Sequence, residues 1–137
     1  MRTMLIVLFS IALLIGCTGE TGKQAPLFDD LGTFEYKITT NSDLAQKYFN
    51  QGFVFAYGFN HEEAFRSFQE AARLDTNCAM AYWGMAYVLG PNINLPMDDA
   101  VVYSAYEAIQ KAISLLDNET QEEKDLVIAL SKRYSQD

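Results

Sequence analysis

Few side chains in this sequence could do chemistry. His61 is the only histidine, the residue type whose ordinary pKa suits proton transfer near neutrality. It stands in "GFVFAYGFNHEEAFRSF", Gly52 to Phe68, among Phe53, Phe55, Tyr57, Phe59, Phe65 and Phe68. Glu62 and Glu63 adjoin it, but no nucleophile falls at a helical spacing from it, so no nucleophile–base set can be assembled. At the first position of a helix its side chain is expected to be exposed, in a surface or structural role. The two cysteines, Cys17 and Cys78, belong to no C-x-x-C or Cys/His cluster, so zinc and attached haem lack their ligand spacings. Cys78 is expected as a small buried apolar side chain, with a disulfide between chains as the alternative. In "GPNINLPMDD" Asn92, Asn94, Asp98 and Asp99 offer oxygen ligands without calcium-loop spacing. That loop is read as covering the end of a helical hairpin. No catalytic residue, cofactor or metal ligand is assigned, and the chain is read as not an enzyme.

Charge narrows the partners. The sequence has 10 Lys+Arg against 18 Asp+Glu, a formal net charge of −8. Phosphate backbones and anionic lipid surfaces need clustered cations, so nucleic acid is excluded as a partner and electrostatic adhesion to lipid is disfavoured. Half of the residues are hydrophobic, enough for a packed core.

The elements that must position these residues are helices. From Asp43 onward Leu44, Tyr48, Phe49, Gly52, Phe55 and Ala56 recur at helical spacing, with Asn41 or Ser42 as cap. "GFN" breaks the helix. Asn60 is a good N-cap, and Glu63 stands where it would complete a capping box. The next helix runs through Ala64, Phe68, Ala71 and Leu74 to "DTN", and a tight turn between two such helices makes an antiparallel hairpin. A third carries Tyr82, Met85, Ala86 and Leu89. Gly90, Pro91 and Pro96 forbid its straight continuation, and Ala105, Ile109 and Ala112 resume the helical pattern after an Asp98 or Asp99 cap. A fifth helix starts near Asn118 or Thr120, with a capping box from Thr120 and Glu123, and carries Leu126, Val127, Leu130 and Tyr134. Thr33–Thr39 alternates Phe34, Tyr36 and Ile38 with polar residues. With no strand to pair with, it is expected to lie along a helical surface.

Shifting the sequence by 34 residues pairs Ala45 with Ala79, Tyr48 with Tyr82, Phe49 with Trp83, Gly52 with Ala86 and Phe53 with Tyr87. The hairpin resembles the tetratricopeptide repeat. In that motif a small residue lets the helices approach and an aromatic three residues on fills the gap, positions that Gly52 and Phe55 match. Ala64, Phe68 and Ala71 match the second helix, and Tyr82, Ala86, Ala105, Ile109 and Ala112 match the second repeat. Gln51 departs where the motif prefers Leu, and Thr76 where it prefers Pro. "AYWGMAYVLGPNINLPMD" is similar to a group of larger exported bacterial tetratricopeptide proteins. The resemblance implies an all-α helical-repeat solenoid, a groove for a protein or peptide partner, and a scaffold role without chemistry. Tyr57, Phe59 and Tyr87 fall off the motif and are candidates to line the groove.

The N-terminus reads as an address. Arg2 precedes an apolar run from Met4 to Ile15, about 18 Å of helix against a hydrocarbon core of about 30 Å, too short to span; it has the form of a signal peptide. Leu14-Ile15-Gly16-Cys17 resembles the bacterial lipobox, which implies cleavage before Cys17, lipidation of its thiol, and a membrane contact through that anchor. Thr18, in place of an aspartate, favours the outer membrane where the host has two.

The expected organisation is residues 1–16 signal peptide, 17–42 flexible tether with a short extended segment, 43–78 first hairpin, 79–117 second hairpin with an insertion near 90–97, and 118–137 the first helix of a further, incomplete repeat. The apolar stripe of that last helix is expected to need more repeats or another chain to cover it. The function expected is a lipid-anchored scaffold for protein or peptide interactions in the cell envelope. The alternatives are a solute-capture lipoprotein for glycans or peptides and the non-catalytic N-terminal part of an envelope enzyme.

Overall fold

The computed structural model describes residues 22–134; the expected signal peptide and Cys17 lie outside them. The described chain is all-helical. Its helices are α1 (Asp43–Tyr57), α2 (His61–Leu74), α3 (Ala79–Leu89), α4 (Val102–Ile113) and α5 (Gln121–Ser131), with short 3-10 turns before α4 and α5. Caps set most of the starts. Ser42 accepts from the Ala45 N–H, Asn60 from the Glu63 N–H, and Thr120 and Glu123 form a reciprocal capping box at α5. At α2 the box is incomplete: the Glu63 carboxylate pairs with Arg66. Asp98 caps the 3-10 turn ahead of α4 by accepting from the Ala100 N–H.

Consecutive helices pack on one another, α1 on α2, α2 on α3, α3 on α4, and α5 lies against both α3 and α4. The α1–α2 turn is tight enough to hold Phe59 at φ 60°. One ring joins three helices. Phe68 of α2 is fully buried, and a Cβ on Gly52 of α1 would stand 2.7 Å from it and one on Gly84 of α3 2.5 Å. Both positions therefore need a residue without a side chain for the helices to approach this closely. The small residue at Gly52 has the expected role, but the ring against it is Phe68. Phe55 is only partly buried and meets Phe28 edge-on at 5.7 Å.

The expectation of a flexible tether is corrected for the described residues. From residue 22 the expected tether is a strap bonded to the helices. The Gln24 N–H donates to Glu70 at 2.8 Å, the Phe28 N–H to Gln51 at 2.8 Å, and the Tyr48 hydroxyl donates to the Ala25 carbonyl at 3.1 Å. Further along, Ile38 N–H donates to Gln46, and the Gln46 amide returns a bond to the Tyr36 carbonyl. The extended segment thus lies along α1. Once bonded to buried side chains the backbone is no longer free to move as a linker. At the other end, part of the α5 stripe is covered by the described helices: Val127, Leu130 and Tyr134 are buried, Ile128 is exposed, and the Tyr134 hydroxyl donates to the Ala86 carbonyl in α3.

Candidate functional site

The concentration of chemistry-bearing side chains is an aromatic groove across α1, α3 and α5. Phe53 and Tyr57 are one helical turn apart, as are Trp83 and Tyr87, so each pair shares a helix face. The strap adds Tyr36, α3 adds Met80, and α5 adds Glu122 and Leu126, and together they line a cavity of about 300 Å³. The rings order one another. Tyr36 stacks on Phe53 at 5.7 Å with 5° between planes, Phe53 on Trp83 at 6.2 Å and 19°, and Trp83 on Tyr87 at 5.1 Å and 5°. Such offset pairs add about 0.5–1.5 kcal/mol each beyond their burial. The Trp83 indole N–H donates to the Leu126 carbonyl at 3.2 Å, tying the wall to α5. Tyr57 is 69 % exposed, so the groove opens to solvent at that side.

Glu122 supplies the charge. Its Oε1 accepts from the Tyr36 hydroxyl at 2.7 Å. Burial, that bond and the nearby Glu122 and Glu123 carboxylates push the Tyr36 pKa up to about 12, so the phenol stays a neutral donor. Among the described residues no lysine, arginine or histidine lines the cavity.

A second cluster sits where the strap, α3 and α5 meet. Glu123 is buried and accepts from the Thr39 N–H at 2.6 Å, the Thr39 hydroxyl at 2.7 Å and the Thr120 N–H at 2.9 Å. Burial raises its pKa, but the bonds from Thr39 and Thr120 outweigh burial and the net shift is downward. Its neighbour Glu119, 7 % exposed, is pushed up to about 7, chiefly by burial and then by the Glu123 charge. Glu119 also takes a backbone bond from Ala79, the first residue of α3. This matters because Cys78, the α3 cap, makes no side-chain bond there.

His61 is not the exposed residue expected. It is half-buried, edge-on to Phe59 at 6.3 Å, and both ring nitrogens are shielded without a hydrogen-bond partner. Cys78 is buried and free, its thiol pushed up to about 12 by burial, which leaves it unreactive. Asn92 and Asp98 spend side-chain oxygens on loop N–H groups, of Asn94 and Leu95 and of Ala100. Of the motif residues, Gly52, Ala64, Phe68, Ala71, Ala86, Ala105, Ile109 and Ala112 are buried, while Tyr82 is partly exposed with Lys111 5.8 Å over its ring.

Sequence reasoning singled out Tyr57, Phe59 and Tyr87 for the groove; Tyr57 and Tyr87 line it, Phe59 does not, and Tyr36, Trp83 and Glu122 were missed. It read Gln51 as a mere departure from a repeat pattern. The buried Gln51 accepts from Phe28 and donates to the Pro26 carbonyl at 2.8 Å and to Ser67 at 3.0 Å. A buried polar residue inside an apolar stripe was the available signal.

No protein-family model, curated protein or solved structure matches this chain. Among the described residues no helix is long and apolar enough to cross a membrane.

Proposed function

We propose that the chain is a tetratricopeptide-like interaction module, lipid-anchored through Cys17 in the bacterial cell envelope, that holds a protein or peptide partner and does no chemistry itself. The observation that carries this reading is the aromatic groove spanning α1, α3 and α5, open at Tyr57. Beside it Phe59 and Ile93, which line a neighbouring cavity with Tyr57 and Tyr87, are 59 % and 89 % exposed, and large exposed apolar side chains grouped in this way mark interaction surfaces. An extended segment or helix would enter the groove by shape, with a few polar contacts for register. The repeat assignment draws on the 34-residue correspondence and on the packing of α1 with α2 and α3 with α4. Anchoring draws on the lipobox-like Leu14–Cys17 alone; two acyl chains at about 0.8 kcal/mol per buried methylene suffice for stable attachment.

A photo-crosslinking residue placed at Tyr57 in the full-length protein tests the interaction half. It is expected to give a discrete protein adduct that the same residue at Tyr103 on α4, equally exposed at 69 %, does not give. Identical adducts from both positions would remove the groove from the argument. Cys17→Ser tests the anchor: the variant is expected to leave the membrane fraction, and one that stays as tightly bound overturns that half.

A further inference from the structure

The groove reading leaves the chemistry of the occupant open, and the lining narrows it. We infer that the cavity between the strap, α1, α3 and α5 recognises an organic cation, specifically a lysine side chain presented by an extended basic segment of a protein partner. This inference rests on the proposed groove and adds the ligand class to it.

Three observations converge. Tyr36, Phe53, Tyr57, Trp83 and Tyr87 bring five aromatic rings to one cavity of about 300 Å³, room for an alkylammonium head and its stem. Aromatic faces attract cations through the ring quadrupole, most strongly where water is excluded, and Trp is the best of them. Trp83 is 7 % exposed and stacks on Phe53 and Tyr87 as the floor of the groove, so the ring most open to a cation is Tyr57, 69 % exposed at its mouth. Among the described residues Glu122 is the only carboxylate in the lining, and its hydrogen-bonded Oε1 fixes it beside Tyr36. No described cation lines the cavity, so a positive head meets no repulsion from its lining, whereas a carboxylate or phosphate would meet the Glu122 charge.

Neutral ligands fit less well. A sugar needs several donors and acceptors around its ring, and the Tyr36 hydroxyl is already committed to Glu122. The formal net charge of −8 adds a long-range attraction for basic partners. Lysine is favoured over a choline-headed lipid because the strap runs beside the cavity as extended chain. A second extended chain could lie alongside it and lower its side chain between the rings.

The test uses the full-length protein and the fluorescence of Trp83, the chain's sole tryptophan. Three peptides of one sequence are titrated, carrying lysine, trimethyllysine or norleucine at the central position. Lysine and trimethyllysine are expected to bind roughly tenfold or more tightly than norleucine, because ring faces need the charge and not the N–H donors. Tyr57→Leu, at an exposed position, is expected to reduce lysine-peptide binding roughly tenfold with an unchanged circular dichroism spectrum, and Tyr57→Trp to restore it. Glu122→Gln should lower affinity a few-fold and flatten its salt dependence.

Equal binding of the lysine and norleucine peptides overturns the cation inference and leaves an apolar groove standing. Binding of none of the peptides also overturns it, and crosslinking at Tyr57 then decides the groove by itself. Tighter binding of phosphatidylcholine vesicles than of the lysine peptide overturns the choice of a protein partner.

Discussion

Gly84→Ala probes the claim that one ring gathers three helices. A Cβ at Gly84 would stand 2.5 Å from Phe68 Cδ1, 2.6 Å from Cγ and 2.7 Å from Cε1, where ordinary contacts begin near 3.4 Å. The overlap of about 0.9 Å (3.4 − 2.5) must be absorbed by the ring or by the backbone of α3. The ring has little freedom. It is fully buried, Gly52 is equally close to it, and Phe49 lies 5.4 Å away. Two effects compete. Alanine improves on glycine in a helix by about 1 kcal/mol, whereas overpacking a dense core costs about 1–3 kcal/mol. With no flexible chain end to yield, the cost belongs at the top of that range, for a net loss of about 2 kcal/mol. At about 4 °C per kcal/mol for a domain of this size, that is a Tm drop of about 8 °C. Urea and thermal melts of Gly84→Ala, Phe68→Leu and the double variant form the cycle. Removing the ring removes the clash, so the double variant should be more stable than the sum of the single losses by at least about 1 kcal/mol. Additivity within about 0.5 kcal/mol, or a stabilised Gly84→Ala, would refute the packing argument.

Two further perturbations follow from the buried polar groups. The Glu119 carboxyl has its pKa raised from 4.5 to about 7, so in that interval the folded state holds a proton the unfolded state has released, and stability falls as pH rises from about 4.5 through 7. Glu123, Glu70 and Asp75 have lowered pKa values, so their stabilisation is lost instead as pH falls below the unfolded range. The protein should therefore be most stable in mildly acidic solution. Melts of Glu119→Gln should lose the decline between pH 5 and 8, and a wild-type slope in that variant would contradict the assignment. Gln51→Leu, the substitution toward the repeat pattern, strands the Phe28 N–H and the Pro26 carbonyl and should cost about 1–3 kcal/mol. Hydrogen exchange at Phe28 should rise in that variant, and unchanged protection would show that Gln51 does not hold the strap.

The helices were legible because their signals are local. Ser42, Asn60 and the Thr120–Glu123 pair announce starts, "GFN" and "GPNINLP" announce breaks, and apolar spacing marks the buried faces, as the full burial of Ala64, Ala105 and Ile109 bears out. Half of the site was legible on the same terms. Tyr57, Phe59 and Tyr87 stood out as aromatics off the packing pattern, and two of them line the groove, whereas Trp83 matched a packing position and its place in the groove was hidden.

The sequence by itself determined the helical class and the places where helices begin and break. Tertiary structure alone decided what the polar departures, the strap and the apolar stripe of α5 do. Gln51, Gln46 and Glu123 hold the strap through bonds between residues as far as 84 positions apart, and no periodicity encodes such pairs. The burial of Val127, Leu130 and Tyr134 and the gathering of Tyr36, Trp83 and Glu122 depend on where α5 lands. Caps and spacing act within a turn or two of helix, but a groove is a meeting of distant segments, and only the packed chain brings them together.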